Sequence, residues 1–428
     1  MRNQASVIPD SQQGHAVTSP GVQLRPYPYP YRCMLAICSD LDSTPNRQVY
    51  WEIMRFLNTT ETTAMGLGVG LEVGNSIHFR AIPPQFSYWD TDDAGREMVH
   101  TLIHSGHIDC LHSFGECVHT RGEAKQALDE LERHDCWLEV WVDHGSAVTN
   151  FGWDIMDGHG DEVGHMAYHA DLTIPYGVKY VWRGRTTSVI GQDVPPRLAG
   201  IFKWNHPASS GRTFLKEIAK RSLALAGNQK YAMHGPNETI RPIRLRDGSA
   251  VYEFMRCNPH WGGISSCDEG RHIGAVLTRE MLSRLVEREG TCILYTHLGK
   301  ISDPRVPFDA DATTAFRRLR EEFLAGRILV TTTRRLLGYR RALREVTFAT
   351  RLDGKSLHLE VNTESSKDWG GELSRADVAG LTFYVPDPAN TSMTIDGQQV
   401  AELRCNHPDQ TGRPSVSLPW ARLEFPEV

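Results

Sequence analysis

The sequence predicts an α/β fold: a distorted (β/α) barrel of seven strands, followed by a small C-terminal all-β sandwich. Two observations lead to this prediction. Between residues 31 and 344, short apolar runs typical of buried strands alternate with segments of helical periodicity, which indicates a parallel sheet with helices outside it. From residue 345 to residue 428 the helical periodicity stops, and short alternating runs are separated by turn signals.

The region 31–344 contains eight candidate strands, at residues 33–38, 66–73, 107–111, 136–142, 178–182, 250–255, 291–295 and 328–331. Helical patterns lie between them, for example at residues 45–57, 94–104, 123–133, 213–225, 278–288 and 311–324. This number of strand–helix units is typical of a barrel. Two long segments rich in Gly, His and Pro, at 150–173 and 184–210, are expected to cover its mouth.

The two ends of the chain have a different character. Residues 1–30 are rich in Pro, Gln and Ser, which predicts an extended arm. In the region 345–428, Asp353-Gly354 and Asp396-Gly397 are dipeptides typical of hairpin turns. The candidate strands of this predicted sandwich are at residues 346–350, 357–361, 381–385, 392–395, 400–404 and 421–425.

Composition excludes several classes of protein. The chain has 428 residues and a formal net charge of −6, which argues against a nucleic-acid partner held by general electrostatics. No apolar run is long enough to span a membrane, and the polar N-terminus lacks a signal-peptide core, so we expect a cytoplasmic protein. The nine cysteines lack a repeated Cys-x-x-Cys spacing. A structural zinc site is an alternative for Cys257, His260, Cys267 and His272, although their spacing fits no zinc-finger pattern well.

Two carboxylates follow the first predicted strand. Asp40 and Asp42 come directly after the apolar run 34–38, at the end of a strand where α/β folds place their chemistry. Because alternate residues of an extended segment share a face, the two carboxylates point the same way and repel each other. A divalent cation, a shared proton or a helix N-terminus could compensate them. The simpler interpretation is that one aspartate only caps the next helix, although Ser43 and Thr44 could do so as well.

Three histidines also follow predicted strands. His112, His144 and His297 would face the same mouth as the aspartates if these strands are parallel neighbours. Imidazole and carboxylate together are the usual ligands of a catalytic divalent cation, and Zn²⁺ is the expected ion. Taken singly, each histidine could equally be a structural residue. Glu116 is a further possible ligand or hydrogen-bond acceptor, and His169 is a possible ligand or substrate contact.

Three segments resemble motifs of the NodB-like polysaccharide deacetylase and glycoside hydrolase superfamily. Residues 39–43 (Ser-Asp-Leu-Asp-Ser) are similar to its first Asp-Asp motif, with one leucine inserted between the acids. Residues 112–116 (His-Ser-Phe-Gly-Glu) are similar to its His-Ser-x-x-His motif, with Glu in the last position. Residues 294–299 (Leu-Tyr-Thr-His-Leu-Gly) resemble the segment that carries its late histidine. Trp182 and Arg183 are weak candidates for its tryptophan and arginine motifs, and as such are possible ligands or substrate contacts. The resemblance covers roughly residues 31–340.

The resemblance implies a metal-dependent hydrolase that removes an N-acetyl group from an amino sugar. Asp42, His112 and His144 would hold the cation, Asp40 would act as general base, and His297 would protonate the leaving amine. The expected substrate is an N-acetylated saccharide that serves as an intracellular precursor of a surface polysaccharide. Two alternatives stay open, namely a glycoside hydrolase that uses a carboxylate pair and a saccharide-binding protein without catalysis.

Overall fold

The computed structural model describes residues 21–145, 147–152, 158–201, 207–258, 269–364, 369 and 371–427. The strands are β1 (Gln23–Leu24), β2 (Cys33–Ser39), β3 (Thr62–Thr63), β4 (Gly66–Leu67), β5 (Asn75–Ile77), β6 (Ile108–His112), β7 (Val140–Val142), β8 (Tyr180–Trp182), β9 (Thr186–Thr187), β10 (Ile240–Arg244), β11 (Ala250–Phe254), β12 (Arg256–Cys257), β13 (Thr291–Thr296), β14 (Ile328–Thr331), β15 (Thr347–Asp353), β16 (Ser356–Asn362), β17 (Thr382–Tyr384), β18 (Thr391–Ile395), β19 (Gln398–Gln399), β20 (Arg404–Asn406) and β21 (Ser415–Ser417). The α-helices are α1 (Arg47–Asn58), α2 (Asp93–His104), α3 (Arg121–Arg133), α4 (Ala170–Tyr176), α5 (Pro207–Leu225), α6 (Ile273–Val276), α7 (Arg279–Arg288), α8 (Ala310–Leu324), α9 (Thr333–Glu345) and α10 (Arg375–Val378).

Two mainly parallel sheets form the centre of the α/β structure. One has the order β10-β11-β8-β7-β6-β5, with β10 antiparallel at its edge, and the other has the order β14-β2-β13-β12-β9, with all its strands parallel. The chain passes from the first sheet to the second at Met255, between β11 and β12. Strand β2 also lies beside β5, where Leu41 donates its main-chain N–H to Ser76 Oγ at 3.2 Å. The strands of this α/β part thus form two separate sheets, and a closed barrel is not shown among the described residues.

The core explains why the strand prediction was largely correct. Every residue of β2 is buried, and β6, β7 and β14 are buried along their whole length as well. Continuous apolar runs of this kind are what a parallel sheet covered on both faces requires. The helices α1, α2, α3, α5, α7 and α8 begin and end within a few residues of the predicted helical patterns, with the largest difference at the start of α5.

The predicted strand at 66–73 is wrong. Only Gly66–Leu67 is extended in a ladder, and it pairs with β3. The next residues turn to the end of α1, where Val69 and Leu71 donate their main-chain N–H groups to Phe56 O and Leu57 O, each at 2.7 Å. These bonds satisfy carbonyl groups that a helix end leaves without a partner, so the segment caps α1 and β5 forms later in the chain.

The C-terminal region contains two four-stranded sheets, with the orders β15-β16-β18-β19 and β1-β17-β21-β20. The predicted strand at 421–425 does not form, because this segment instead lies against the α/β part, where Leu423 N donates to Glu72 Oε2 at 3.0 Å. Strand β1 comes from the predicted extended arm and pairs with β17. Arg25, only 2% exposed, fixes this segment by donating to Asp409 Oδ2 at 2.9 Å. Among the described helices, none has the length and apolarity needed to cross a membrane.

Candidate metal centre

The site begins where β2 ends. Asp40 donates its main-chain N–H to Thr296 O at 2.9 Å, which continues the pairing of β2 with β13 for one residue. Thr44 then donates its main-chain N–H and its hydroxyl to Leu41 O, so the chain turns sharply after the two aspartates. Helix α1 is capped by Asn46, whose side chain accepts from Val49 N. The interpretation of Asp40 or Asp42 as a mere helix cap is therefore wrong.

Three imidazoles surround the carboxylate of Asp42. Oδ1 of Asp42 lies 3.4 Å from His112 Nε2 and 3.1 Å from His144 Nε2, and Oδ2 lies 3.1 Å from His297 Nε2. These histidines stand at the carboxyl ends of β6, β7 and β13, as the sequence predicted. Donor atoms of Asp42, His112 and His144 lie within 4.8 Å of one another, so this group could hold a metal ion.

The hydrogen bonds of His112 prepare it for a cation. Its Nδ1 lies 3.3 Å from the main-chain oxygen of Val142, and because a carbonyl can only accept, Nδ1 carries the proton. Nε2 of His112 is buried without a hydrogen bond and lies 3.4 Å from Oδ1 of Asp42. A histidine that ligates a metal typically donates its other N–H to a carbonyl or carboxylate. The donor set of imidazole nitrogen and carboxylate oxygen fits Zn²⁺ or a related divalent cation.

Glu116 contacts the same ring nitrogen of His144 as Asp42 does. Its Oε2 is 2.9 Å from His144 Nε2, while its Oε1 accepts from Ile82 N and from Gln85 Nε2. Gly115 directs this side chain, because its φ of +96° is a conformation that favours glycine and a Cβ there would collide with the main-chain oxygen of Arg80. Glu116 is therefore held as a partner of His144, and the three-residue group that could bind the cation does not include it.

Asp40 is paired with a residue that the sequence analysis missed. Oδ1 of Asp40 accepts a hydrogen bond from Arg256 Nη1 at 2.7 Å, and both side chains are buried. The guanidinium of Arg256 lies between two aromatic rings, 3.5 Å from the ring centre of Trp182 and 4.2 Å from that of Tyr295. Trp182, predicted as a possible substrate contact, is thus a wall of the Arg256 pocket, with its Nε1 donating to Arg185 O.

The charges of the site balance one another. Burial alone would raise the pKa of both aspartates, but Arg256 and neighbouring imidazoles lower that of Asp40, and His112 with its neighbours holds that of Asp42 well below its ordinary value. Burial would lower the pKa of His144, yet its hydrogen bonds to Asp42 and Glu116 raise that pKa to about 10. Without a cation, a protonated His144 therefore supplies the compensating charge, and a cation would replace this proton.

Two predicted residues do not join this group. His169 is buried and uses both ring nitrogens elsewhere, with Nδ1 2.7 Å from Thr173 Oγ1 and Nε2 2.7 Å from Thr149 O. Burial lowers the pKa of His169 to about 4, so it is a neutral core residue. The side chain of Arg183 pairs with Glu253 at 3.0 Å.

The alternative zinc site with Cys257 and His272 includes His260 and Cys267, which lie outside the described residues. Cys257 itself is buried, and its Sγ donates to Val189 O at 3.3 Å.

The sequence context of Arg256 indicates a buried, paired charge. Arg256 directly follows the apolar strand-like run 250–255, and a charge in that position must be paired if it is buried. Comparison of the chain with protein families, with curated proteins and with solved structures gave no match. The residues themselves are therefore the basis for any functional proposal.

Proposed function

We propose that this protein is a metal-dependent hydrolase that removes an N-acetyl group from an amino sugar, with Zn²⁺ or a related divalent cation held by Asp42, His112 and His144. The single observation that supports this best is that donor atoms of Asp42, His112 and His144 lie within 4.8 Å of one another, with Nε2 of His112 buried and without a hydrogen bond. A buried polar atom without a partner costs free energy, and a cation bound there would remove this cost.

The cation would supply Lewis-acid chemistry, polarising the amide carbonyl and lowering the pKa of water. The chain supplies the groups that move protons. Asp40 is ionised at neutral pH because Arg256 lowers its pKa, and it makes no hydrogen bond to the imidazoles, so it can accept the proton of the attacking water. His297 would protonate the leaving amine, and this role is supported by its position, with Nε2 3.9 Å from Asp40 Oδ2 and 3.1 Å from Asp42 Oδ2.

The finer architecture belongs to the same proposal. The passage of the chain from β11 to β12 and the contact of β2 with β5 bring the edges of the two sheets together at two places. We take the sheets as one distorted (β/α) barrel whose carboxyl ends carry the site. The proposed substrate, by analogy with deacetylases on such barrels, is an N-acetylated precursor of a surface polysaccharide in the cytoplasm.

Metal content tests the proposal first. The protein is purified without chelator or nickel and analysed by mass spectrometry, beside Asp42→Ala, His112→Ala and the control His169→Gln. About one equivalent of a divalent cation is expected in wild type and in the control, with loss in the other two variants. If the wild type holds no cation even after incubation with Zn²⁺, the proposed mechanism is wrong.

Product analysis then tests the reaction. Incubation with N-acetylated amino sugars is expected to release acetate, and Asp40→Asn is expected to slow this release by 10²-fold or more, since a general base is lost. Release of a reducing sugar end without acetate would instead support a glycoside hydrolase. Binding of saccharide with no product from the cation-loaded protein would support a saccharide-binding protein.

A further inference from the structure

The segment 79–86, between β5 and α2, borders the candidate metal centre and was not singled out in the sequence. At one end, Phe79 donates its main-chain N–H to Phe114 O at 3.1 Å, in the loop that follows β6. At the other end, Phe86 donates its main-chain N–H to Thr44 O at 2.8 Å, in the turn that follows β2. The segment therefore joins the turn after β2 to the loop after β6.

The side chain of Gln85 connects the same two places. Its Oε1 accepts from the main-chain N–H of Ser43 at 2.7 Å, and its Nε2 donates to Glu116 Oε1 at 3.3 Å. Ile82 N donates to the same oxygen of Glu116 at 3.1 Å. A carboxamide can make both bonds of Gln85 at once, because its oxygen accepts and its nitrogen donates. One side chain thus links the turn that carries the metal-binding aspartate to the glutamate beside the metal centre.

The bond to Ser43 acts on the position of Asp42. Ser43 directly follows Asp42 and has a φ of +64°, a left-handed conformation that costs free energy for a residue with a side chain. Gln85 holds the N–H of this residue and so supports the conformation. The same turn fixes Oδ1 of Asp42 at 3.4 Å from His112 Nε2 and at 3.1 Å from His144 Nε2. A change of the turn would alter both distances.

The bond to Glu116 acts on the opposite side of the centre. Oε2 of Glu116 lies 2.9 Å from His144 Nε2, the ring nitrogen that also lies beside Asp42. Because Gln85 and Ile82 both donate to Oε1, the carboxylate of Glu116 is held with Oε2 towards this nitrogen. The amide of Gln85 therefore restrains two of the groups that contact His144.

We propose that Gln85 is a positioning residue of the metal centre, which holds the turn of Asp42 and the carboxylate of Glu116 in the arrangement that the cation needs. The inference rests on the proposed function, since it assumes that a cation binds at Asp42, His112 and His144. Gln85 acts through Ser43 and Glu116 and is not itself one of the three donors. Loss of a residue that orients metal ligands typically lowers metal affinity 10- to 100-fold.

The test compares the same substitution at two glutamines. Gln85→Met keeps the length of the side chain and removes both hydrogen bonds. The control is Gln229→Met, because Gln229 Oε1 also accepts a hydrogen bond, from Arg241 Nη2 at 2.8 Å, but at the exposed surface. Zn²⁺ affinity is measured by competition with a chromophoric chelator, and the visible spectrum of the Co²⁺-loaded proteins reports the geometry of the donors. Affinity is expected to fall 10- to 100-fold in Gln85→Met, with a changed Co²⁺ spectrum, and to be unchanged in the control.

A double-mutant cycle separates positioning from a general loss of structure. Glu116→Ala removes one of the two partners of Gln85, so Gln85→Met is expected to lower Zn²⁺ affinity less in the Glu116→Ala protein than in wild type. Urea titration confirms that each variant is folded, as the half-buried position of Gln85 leads us to expect. Affinity and Co²⁺ spectrum equal to wild type in Gln85→Met, or an equal effect of Gln85→Met in both backgrounds, would overturn the inference and leave the proposed function intact. Absence of any cation in wild type would overturn both.

Discussion

The pair of Asp40 and Arg256 gives the sharpest prediction, because both groups are buried and each depends on the other. Arg256→Met replaces the guanidinium by an apolar chain of similar length between Trp182 and Tyr295. Asp40, 2% exposed, then keeps a buried carboxylate without its partner at 2.7 Å. Breaking a buried ion pair by removing one partner costs about 3–5 kcal/mol, and the lost contacts with the two rings act in the same direction.

The free energy of unfolding is measured by urea titration at pH 7.5 for wild type, Arg256→Met, Asp40→Asn and the double variant. We expect a loss of about 3–5 kcal/mol in Arg256→Met. The double variant is expected to lose about 1–3 kcal/mol less than the sum of the two single losses, because the neutral amide at position 40 no longer needs the guanidinium. Additive losses, or a loss below about 1 kcal/mol in Arg256→Met, would refute the importance of this pair.

The dependence on pH provides an independent check. In wild type the pKa of Asp40 is lowered, so the pair stabilises the fold above the unfolded-state pKa of 3.8 and this contribution is lost as pH falls. In Arg256→Met the main charge that opposes the effect of burial is gone, so the pKa of Asp40 rises relative to wild type and this stabilising contribution is reduced. The difference in stability between the two proteins is therefore expected to shrink from pH 7.5 towards pH 4, and a constant difference would contradict the assignment.

Three further predictions concern the frame of the site and the chain ends. Gly115→Ala is expected to lose about 1–3 kcal/mol in urea unfolding, because of the positive φ and the collision with Arg80 O described above. The control Gly122→Ala, in helix α3, should be neutral or stabilising. Equal effects of the two substitutions would refute the explanation for Gly115. Burial lowers the pKa of His107 from 6.5 to about 4, so the free energy of unfolding decreases as pH falls between these two values. Over this range His107→Asn should lose about 3 kcal/mol less stability than wild type, because Asn does not titrate. Parallel stability curves for the two proteins would contradict this assignment. Arg25→Met leaves the Asp409 side chain buried without its guanidinium partner and is expected to cost about 3–5 kcal/mol, measured by urea unfolding. The affinity for added divalent cations should stay that of wild type, and a loss of this affinity would contradict a purely structural role.

Much of the site's framework follows from local sequence. The apolar runs that form β2, β6 and β13 are short and bounded by polar residues, so the residues just after them could be placed at one edge of a parallel sheet. This is why Asp42, His112, His144 and His297 could be selected before the structure was known, and the structure brings their side chains together.

The remaining parts depend on contacts that the sequence does not display. Arg256 meets Asp40 because the chain changes sheets at Met255, and no local pattern shows such a change. Strand β5 was not predicted because a strand was expected at 66–73, whereas those residues bind the end of α1. His169 was predicted as a possible ligand because its Gly-rich neighbourhood is typical of a loop. Its packing against Trp141 and Phe151 is a tertiary contact that local sequence does not indicate.

Strand β1 has a consequence for the order in which the protein can be completed. Its residues, Gln23–Leu24, find their partner Phe383–Tyr384 only after some 360 further residues have been synthesised. During translation the N-terminal segment therefore stays without its β-sheet partner while the α/β part is synthesised. A chain that ends early, through a stop codon or a protease, leaves this segment without its sheet, and such fragments are expected to aggregate or to be degraded rather than to persist as a shortened protein.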